Sequence, residues 1–395
     1  MTDFSKDETV KECICVTTEK NGNKLWCRLL KYAVFAFFTV MTVYSLIIYA
    51  YASRNTVFAE RYCVTVSALL RKGLAFLTGF LPFSLAETVV VAIIPLVILL
   101  LVRVLVLRFY YKEKGHIRSF ILKLLCVLMA AVALFINTFG ICYKRERLSN
   151  MLGIDTGNIN DDDLMVTAYL CIAAASGYLD EISHLPDGST VMPYGFDEMT
   201  KRIHNGYKVI LKNVPEVMSV KPVALSEPWT YTYISGMYFP FTGESNVNVN
   251  YPDFVVAFTA AHEMAHQLGF ASEDEANMMA FLALHYSDDS YLIYSAYMNA
   301  LDYLIADMKS QSAAVLGGIA DHRILKEFIS YSQFLRRYSN KTASVISDSV
   351  NDAYLKANGV ENGSRSYNDV TELICGFMKE IYGSYYEIYG IDVND

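Results

Sequence analysis

Three long apolar stretches before residue 145 constrain the fold of this chain more than any other feature. They cover residues 29–52, 88–107 and 119–141, and each carries a single Lys or Arg. A helix of about 20 apolar residues crosses the roughly 30 Å hydrocarbon core of a bilayer. The pattern therefore predicts a membrane protein with three N-terminal transmembrane helices.

Composition agrees with this prediction and excludes one class of partner. Hydrophobic residues make up 53% of the 395 residues and charged residues only 19%, and the apolar excess lies before residue 145. The formal net charge is −8, and acidic runs follow the apolar region. A basic face of the kind that binds nucleic acid is not expected in such a chain. The lipid bilayer is an expected partner, and nucleic acid is not.

Basic residues beside the apolar stretches indicate the orientation. Four lie near the first stretch (Lys20, Lys24, Arg28, Lys31) and four between the second and third (Arg108, Lys112, Lys114, Arg118). Because Lys and Arg are retained in the cytoplasm, residues 1–28 are predicted to be cytoplasmic and everything after the third span extracytoplasmic. Two groups of basic residues oppose this assignment, one in the first loop (Arg54, Arg61, Arg71, Lys72) and one after the third span (Lys144, Arg145, Arg147). An interrupted apolar segment at 61–86 in the same loop predicts an interfacial or re-entrant helix.

After residue 145 the composition becomes that of an ordinary globular domain. Helical periodicity covers 163–182, 199–211, 276–308 and 324–335, and aromatic and β-branched residues at 229–250 favour short strands. The chain is thus predicted to be α+β, with a membrane domain at 29–145 and a mostly helical domain with a small β-sheet at 146–395. Within that domain Cys171 and Cys375 are interpreted as unpaired buried thiols rather than a disulfide.

The run HEMAH, at residues 262–266, predicts a metal site. Asp253, after Pro252, is expected to cap a helix that stops at Gly269. Histidines four residues apart share one face of a helix, so His262 and His266 can bind one Zn²⁺. Glu263 is then placed to take a proton from the metal-bound water.

The following residues supply a third ligand. Ser272 and Glu275 have the spacing of a capping box, which gives Glu275 a structural role. Glu273 is then free to reach the metal. Asn277, one turn later, can hydrogen-bond a liganding histidine and fix its tautomer.

The run HEMAHQLGF followed by EDEAN resembles the gluzincin metallopeptidases, in which a downstream Glu completes the HExxH ligand set. The resemblance implies a zincin-like domain in which Glu273 is the third zinc ligand and Asn277 supports a histidine. Only six residues separate His266 from Glu273, fewer than in thermolysin-like enzymes, which leaves Glu275 as an alternative ligand.

Most of the chain also resembles a bacterial family of uncharacterised multi-span membrane proteins that are assigned to the metallopeptidases. The segments that carry this likeness are GMYFPFTGESNVN, HEMAHQLGFASEDEAN and DAYLKANG. The resemblance implies a location in the bacterial cell membrane and gives no substrate.

Together these patterns predict a membrane-anchored zinc peptidase, a hydrolase in which Glu263 assists the attack of zinc-bound water on an extracytoplasmic peptide or protein. One alternative is a non-catalytic zinc-binding sensor or scaffold, although such a site does not need Glu263. Another is an intramembrane site-2-type protease. Against it, the apolar run before His262 is too short to span, and the Asp187-Gly188 pair precedes the motif instead of following it.

Two further roles are assigned within the domain. The segment 236–250 is expected either to be the edge that binds an extended peptide substrate or to be plain sheet core. Glu244 within it is interpreted as a turn residue, with binding of a substrate amine as the alternative. An oxyanion stabiliser, a tyrosine or a histidine, is expected to face the zinc from elsewhere in the domain; the sequence does not select it, and Tyr354 and Tyr367 are two candidates.

Overall fold

The computed structural model describes residues 5–112, 116–157, 159–340 and 369–388, together with the isolated positions 345, 349 and 356. These residues form two compact units. The first contains residues up to 51 and 94–136, and the second contains 52–93 and the chain from 137 onward. Tyr354 and Tyr367 lie outside the described residues.

Helices make up most of the described chain. In chain order they are α1 (Ser5–Ala52), α2 (Thr56–Tyr62), α3 (Ala68–Gly79), α4 (Leu85–Phe109), α5 (His116–Thr138), α6 (Leu148–Leu152), α7 (Asp161–Ser176), α8 (Phe196–Ile210), α9 (Ser226–Thr230), α10 (Asp253–Leu268), α11 (Glu273–His285), α12 (Ser290–Asp307), α13 (Ser310–Ile319), α14 (His322–Arg337) and α15 (Asp369–Ile388). A π-helical turn, Cys63–Ser67, joins α2 to α3, and a 3₁₀ turn, Gly140–Lys144, follows α5.

The three apolar stretches are helical, as predicted. Leu29–Ala52 in α1, Leu85–Phe109 in α4 and His116–Thr138 in α5 are long and apolar enough to cross a membrane. Very little of each is buried within the protein. Apolar side chains that face outward along the whole length of a helix are expected of segments surrounded by lipid.

The second unit differs from the domain boundaries expected from the sequence. The loop between the first two candidate spans, residues 52–93, belongs to the same compact unit as the chain after 137. The long helical region predicted at 276–308 consists of two helices, α11 and α12, because the chain turns between Tyr286 and Asp289. The Asp289 side chain accepts the backbone N–H of Leu292 at 2.9 Å and so begins the second helix.

Two small sheets are present in the described chain. Strands β1 (Ser183–His184) and β2 (Thr190–Val191) form an antiparallel hairpin. The second sheet has the order β3-β5-β4, in which β5 (Glu244–Val247) pairs parallel with β3 (Val220–Pro222) and antiparallel with β4 (Gly236–Phe239). The strands expected between residues 229 and 250 are therefore confirmed, and β4 lies at an edge of the sheet.

Helix α10 lies at the centre of the second unit, packed against α11, α12 and strands β4 and β5. Nearly all of its residues are buried, including both polar and apolar positions. Its small residues Ala257, Ala260, Ala261 and Ala265 are fully buried and let neighbouring elements approach closely. A helix enclosed on every side holds its side chains in fixed positions, which suits it to carry a site.

The start of α4 is bound to the sheet through buried carboxylates. Glu244, in β5, accepts the backbone N–H groups of Leu85 and Ala86 at 3.1 and 2.7 Å. Glu87 accepts those of Ala224 and Leu225 at 2.9 and 2.7 Å. Glu244 is thus not the simple turn residue that we expected, because it satisfies the unpaired N–H groups at the N-terminus of α4.

Candidate metal centre

Helix α10 carries the HEMAH residues between two well-defined ends. It begins at Asp253 after Pro252 and ends at Leu268, where Gly269 follows with a φ of 102° that allows the chain to turn and that would strain a larger residue. The expected capping role of Asp253 is wrong. Its carboxylate accepts the backbone N–H of Met192 at 2.9 Å instead, and so connects the start of α10 to the hairpin strand β2.

The short turn after Gly269 brings Glu273, the first residue of α11, back to the two histidines. Glu273 Oε2 lies 3.2 Å from His262 Nε2 and 3.6 Å from His266 Nε2. The ligand atoms of the three residues all lie within 4.8 Å of one another. Zinc bonds of about 2.0–2.1 Å at tetrahedral angles place ligand atoms about 3.3 Å apart. The two distances from Glu273 are close to this value, and the three ligand atoms are near enough to one another to bind one shared metal ion.

Each histidine is oriented by a hydrogen bond from its other ring nitrogen. His262 Nδ1 lies 2.7 Å from Asn277 Oδ1, and His266 Nδ1 lies 2.7 Å from the carbonyl oxygen of Phe270. Both oxygens are acceptors, so Nδ1 of each ring carries a proton, and Nε2, which faces Glu273, is the nitrogen that binds a metal once it is deprotonated. Tyr303, in α12, donates its hydroxyl to the same Asn277 oxygen at 3.1 Å.

Glu273 and His266 shift each other's pKa values toward the charged forms. Burial by itself lowers the pKa of His266, but the Glu273 carboxylate outweighs it and raises that pKa to about 9. Burial would raise the pKa of Glu273, but the two histidines hold it far below its ordinary value. Glu273 is therefore a carboxylate at neutral pH, which is the form that binds a cation.

Glu263 lies beside the cluster with one oxygen unsatisfied. Its side chain is buried, and burial raises its pKa. The backbone of Tyr238 in β4 hydrogen-bonds to the carboxylate. In the part of the chain that the structure describes, Glu263 Oε2 has no hydrogen-bond partner. A buried carboxylate oxygen without a donor is costly, and a water at the neighbouring metal site would supply that donor.

Strand β4 approaches Glu263 so closely that only glycine fits at position 236. A Cβ atom there would lie 2.6 Å from Glu263 Oε1 and 2.6 Å from Thr259 Cγ2. Glycine is therefore required by the distance between β4 and α10, which keeps the edge strand directly over the catalytic candidate.

Two arginines that the motif search did not select hold the C-terminal end of α10. Arg71 donates to the carbonyl oxygens of Gln267 at 3.0 Å and Leu268 at 3.2 Å, and Arg145 donates to that of Gly269 at 3.0 Å. Arg71 is buried, which lowers its pKa to about 10. These donors satisfy the last carbonyls of the helix and oppose the negative end of its dipole. The sequence signal for Arg71 was an arginine within an otherwise apolar stretch.

A disulfide between Cys63 and Cys142 lies against this end of the helix. Arg71 Nη1 is 3.1 Å from Cys142 Sγ, and Cys63 Sγ is 3.8 Å from the Gly269 oxygen. We did not expect this bond, because the two cysteines flank different apolar stretches. Cys171 and Cys375 are free and buried, as predicted.

The structure separates the two candidate third ligands. Glu275 accepts the backbone N–H of Leu148 at 2.8 Å, at the start of α6, and it is not part of the His262–His266–Glu273 cluster. The expected capping box is absent, because Ser272 makes no capping bond and its hydroxyl contacts Asp274 instead. The residue predicted to support a histidine, Asn277, is in contact with His262.

The candidate metal site and the apolar helices together describe the kind of protein to which this chain belongs. A mostly helical unit holds two histidines, a glutamate and a neighbouring buried glutamate, and three helices elsewhere are apolar enough to span a membrane. The family model described as protein of unknown function (DUF3810) matches residues 62–375, and the chain belongs to this family. No curated protein and no solved structure matches the chain significantly.

Proposed function

We propose that this protein is a membrane-anchored zinc-dependent peptidase with a zincin-like catalytic unit. The main observation is the convergence of His262, His266 and Glu273 beside a buried Glu263 whose Oε2 is unsatisfied in the described chain. The donor set fits zinc, since imidazole nitrogens and one carboxylate leave a fourth position open. A purely structural site would not need the free carboxylate.

The metal, Glu263 and strand β4 would have different roles in peptide hydrolysis. Zinc at this site would polarise a water and the substrate carbonyl and lower the pKa of that water. Glu263 accepts the proton of the attacking water and returns it to the leaving nitrogen. The outer edge of β4, beside Glu263, offers backbone groups to an extended peptide, which is how a strand adds to a sheet edge.

The disulfide supports a catalytic unit on the extracytoplasmic side of a bacterial membrane. Cys63 lies between the first two candidate spans and Cys142 follows the third, so three spans place both cysteines on one side. Disulfides persist mainly outside the reducing cytosol. The basic residues before the first span and between the second and third favour the same orientation.

An intramembrane site-2-type protease fits the structure less well. Helix α10 has 16 residues, fewer than the roughly 20 needed to cross a bilayer, and packs among strands. The Asp187-Gly188 pair lies in the turn of the β1–β2 hairpin, whereas the carboxylate beside the histidines comes from Glu273.

The test compares Glu263→Gln, Glu273→Gln and Glu275→Gln in the purified full chain. All three changes replace a carboxyl group by an amide of the same shape in the same neighbourhood, which makes Glu275→Gln the matched control. Zinc content and cleavage of a broad peptide library are measured. Glu263→Gln should keep zinc and lose cleavage, Glu273→Gln should lose zinc, and Glu275→Gln should keep both.

Two results would contradict the proposal. Cleavage that survives in Glu263→Gln would remove that residue from the mechanism. Zinc bound by the unaltered chain with no cleavage of any peptide would favour the sensor or scaffold alternative.

A further inference from the structure

The loop between the first two candidate spans has two different faces. On α3 the side chains of Arg71, Ala75 and Thr78 are buried, and they are spaced four and three residues apart along one side of the helix. Leu69, Leu70, Phe76 and Leu77, on the other sides of α3, are exposed. The buried side contacts the end of α10 through Arg71, and it contacts the sheet region through Thr78, whose hydroxyl is 3.2 Å from that of Ser219.

Large apolar side chains cover the outward side. In the loop and its helices the residues that are half or more exposed are Val57, Val64, Leu69, Phe76, Leu77, Phe80 and Phe83. Positions 69, 76 and 77 on α3 and position 80, directly after it, follow helical spacing and form one stripe. Among the described residues after 137, large exposed apolar side chains are at positions scattered along the sequence. A concentrated stripe of this kind marks a surface that meets an apolar partner.

The chain itself indicates which partner this is. The segment begins where the first candidate span ends, at Ala52, and finishes where the second begins, at Leu85. Both ends therefore lie at the boundary of the same membrane. Three exposed basic residues, Arg54, Arg61 and Lys72, occur within the segment. Long basic side chains beside apolar ones are typical of helices at the level of lipid headgroups.

We propose that residues 56–83 form an interfacial element, whose outward apolar stripe enters the lipid surface while its inward face holds the metal helix through Arg71. This goes beyond the proposed peptidase function and does not depend on it. The exposed Arg54, Arg61 and Lys72, which opposed the predicted orientation, then have a different explanation, because they bind lipid phosphates on the extracytoplasmic side, whereas Arg71 is bound to the end of α10. Helix α3 is about 10–12 Å across with its side chains, so the end of α10 lies roughly one helix diameter from the lipid.

Depth-dependent fluorescence quenching tests this in the full chain in vesicles. The two natural tryptophans are replaced by Trp26→Phe and Trp229→Phe, and one new tryptophan is introduced as Phe80→Trp or Leu77→Trp. The matched control is Ile329→Trp. Ile329 is also more than half exposed and lies on α14, which packs near the other end of α10 through Tyr331 and Phe254. Vesicles of phosphatidylcholine contain lipids brominated near the top of the acyl chain.

Tryptophan at 80 or 77 should emit at short wavelength and lose much of its emission to the brominated lipid, whereas tryptophan at 329 should not. Two results overturn the proposal. Long-wavelength emission without quenching would show a water-exposed stripe. Short-wavelength emission without quenching would show that protein, from a second copy or another chain, covers it. Two substitutions in the stripe keep the test valid if one of them prevents folding.

Discussion

Asn277 Oδ1 accepts hydrogen bonds from both His262 Nδ1, at 2.7 Å, and the Tyr303 hydroxyl, at 3.1 Å. One amide oxygen from α11 thus connects the metal helix α10 to α12. The bond places a proton on Nδ1 of His262 and turns Nε2 toward the metal position, and Tyr303 holds the amide in place. Support of a ligand from a residue behind it is a general feature of protein zinc sites.

Asn277→Ala should therefore weaken zinc binding by about 10–100-fold, because His262 loses the acceptor that sets its tautomer. Competition with a chromophoric chelator measures the affinity. Asn277→Asp is the matched control, since its carboxylate can accept the same bond, and it should retain most of the affinity. Equal affinities for the alanine variant and the unaltered chain would show that the contact does not support the ligand.

Gly236→Ala should stop peptide cleavage while zinc remains bound. The added methyl group would overlap Glu263 and Thr259 and push β4 or the Glu263 side chain out of place. Gly317→Ala is the control, because nothing lies within 4 Å of the added atom and alanine favours the helix by about 0.5–1 kcal/mol. Cleavage rate and zinc content are measured for both. Full activity of the Gly236→Ala protein would mean that the close approach is not needed.

Arg71→Ala should lower the free energy of unfolding by several kcal/mol. It leaves the buried carbonyls of Gln267 and Leu268 without donors, and each such group costs about 1–3 kcal/mol. Lys72→Ala, at the exposed neighbouring position, should change the stability by less than about 0.5 kcal/mol. Denaturant unfolding in detergent provides the comparison. Similar effects of the two changes would argue against a role for Arg71 in holding the helix.

Glu327 should make stability depend on pH between about 4.5 and 7. Burial raises the pKa of its carboxyl from 4.5 to about 7, against the hydrogen bonds from Thr190 and Tyr294. The folded state therefore binds the proton more tightly than the unfolded state. This contribution is fully present below pH 4.5 and is lost as pH rises through 7.

Glu327→Gln removes that titration and keeps an oxygen to accept both bonds. Between pH 4.5 and 7 the free energy of unfolding of the unaltered chain should fall by on the order of 3 kcal/mol more than that of the variant. Unfolding free energies at several pH values between 4 and 8 measure the difference. Parallel curves for the two proteins would show that Glu327 does not titrate in this range.

Much of the candidate site could be predicted from the sequence because its chemistry depends on local spacing. Histidines four residues apart share a helix face whatever surrounds them, and Glu273 and Asn277 follow within one short turn and one helical turn. The roles of Ser272 and Asp253 could not be predicted in the same way. Sequence spacing gives each of them a local backbone N–H to cap. Asp253 instead accepts the N–H of Met192, which is far away in sequence, and spacing does not show that such a distant partner will replace the local one.

The fold was predictable where hydrophobicity alone decides it, as in the three apolar helices and the strands before α10. The contacts of residues 52–93 could not be predicted. Their apolar pattern fits an interfacial helix, but it does not show what the buried face of that helix contacts. The Cys63–Cys142 bond was missed for the same reason. Both depend on contacts between residues far apart in sequence.

Arg71 and the carbonyl of Gln267 that it binds are 196 positions apart along the chain. A fragment that starts at residue 146, the boundary suggested by composition, would contain the whole HEMAH helix and both neighbouring helices. It would nevertheless lack the two arginines and both half-cystines that close the end of that helix. Soluble expression of such a fragment is therefore expected to give a protein whose zinc affinity and thermal resistance understate those of the full chain.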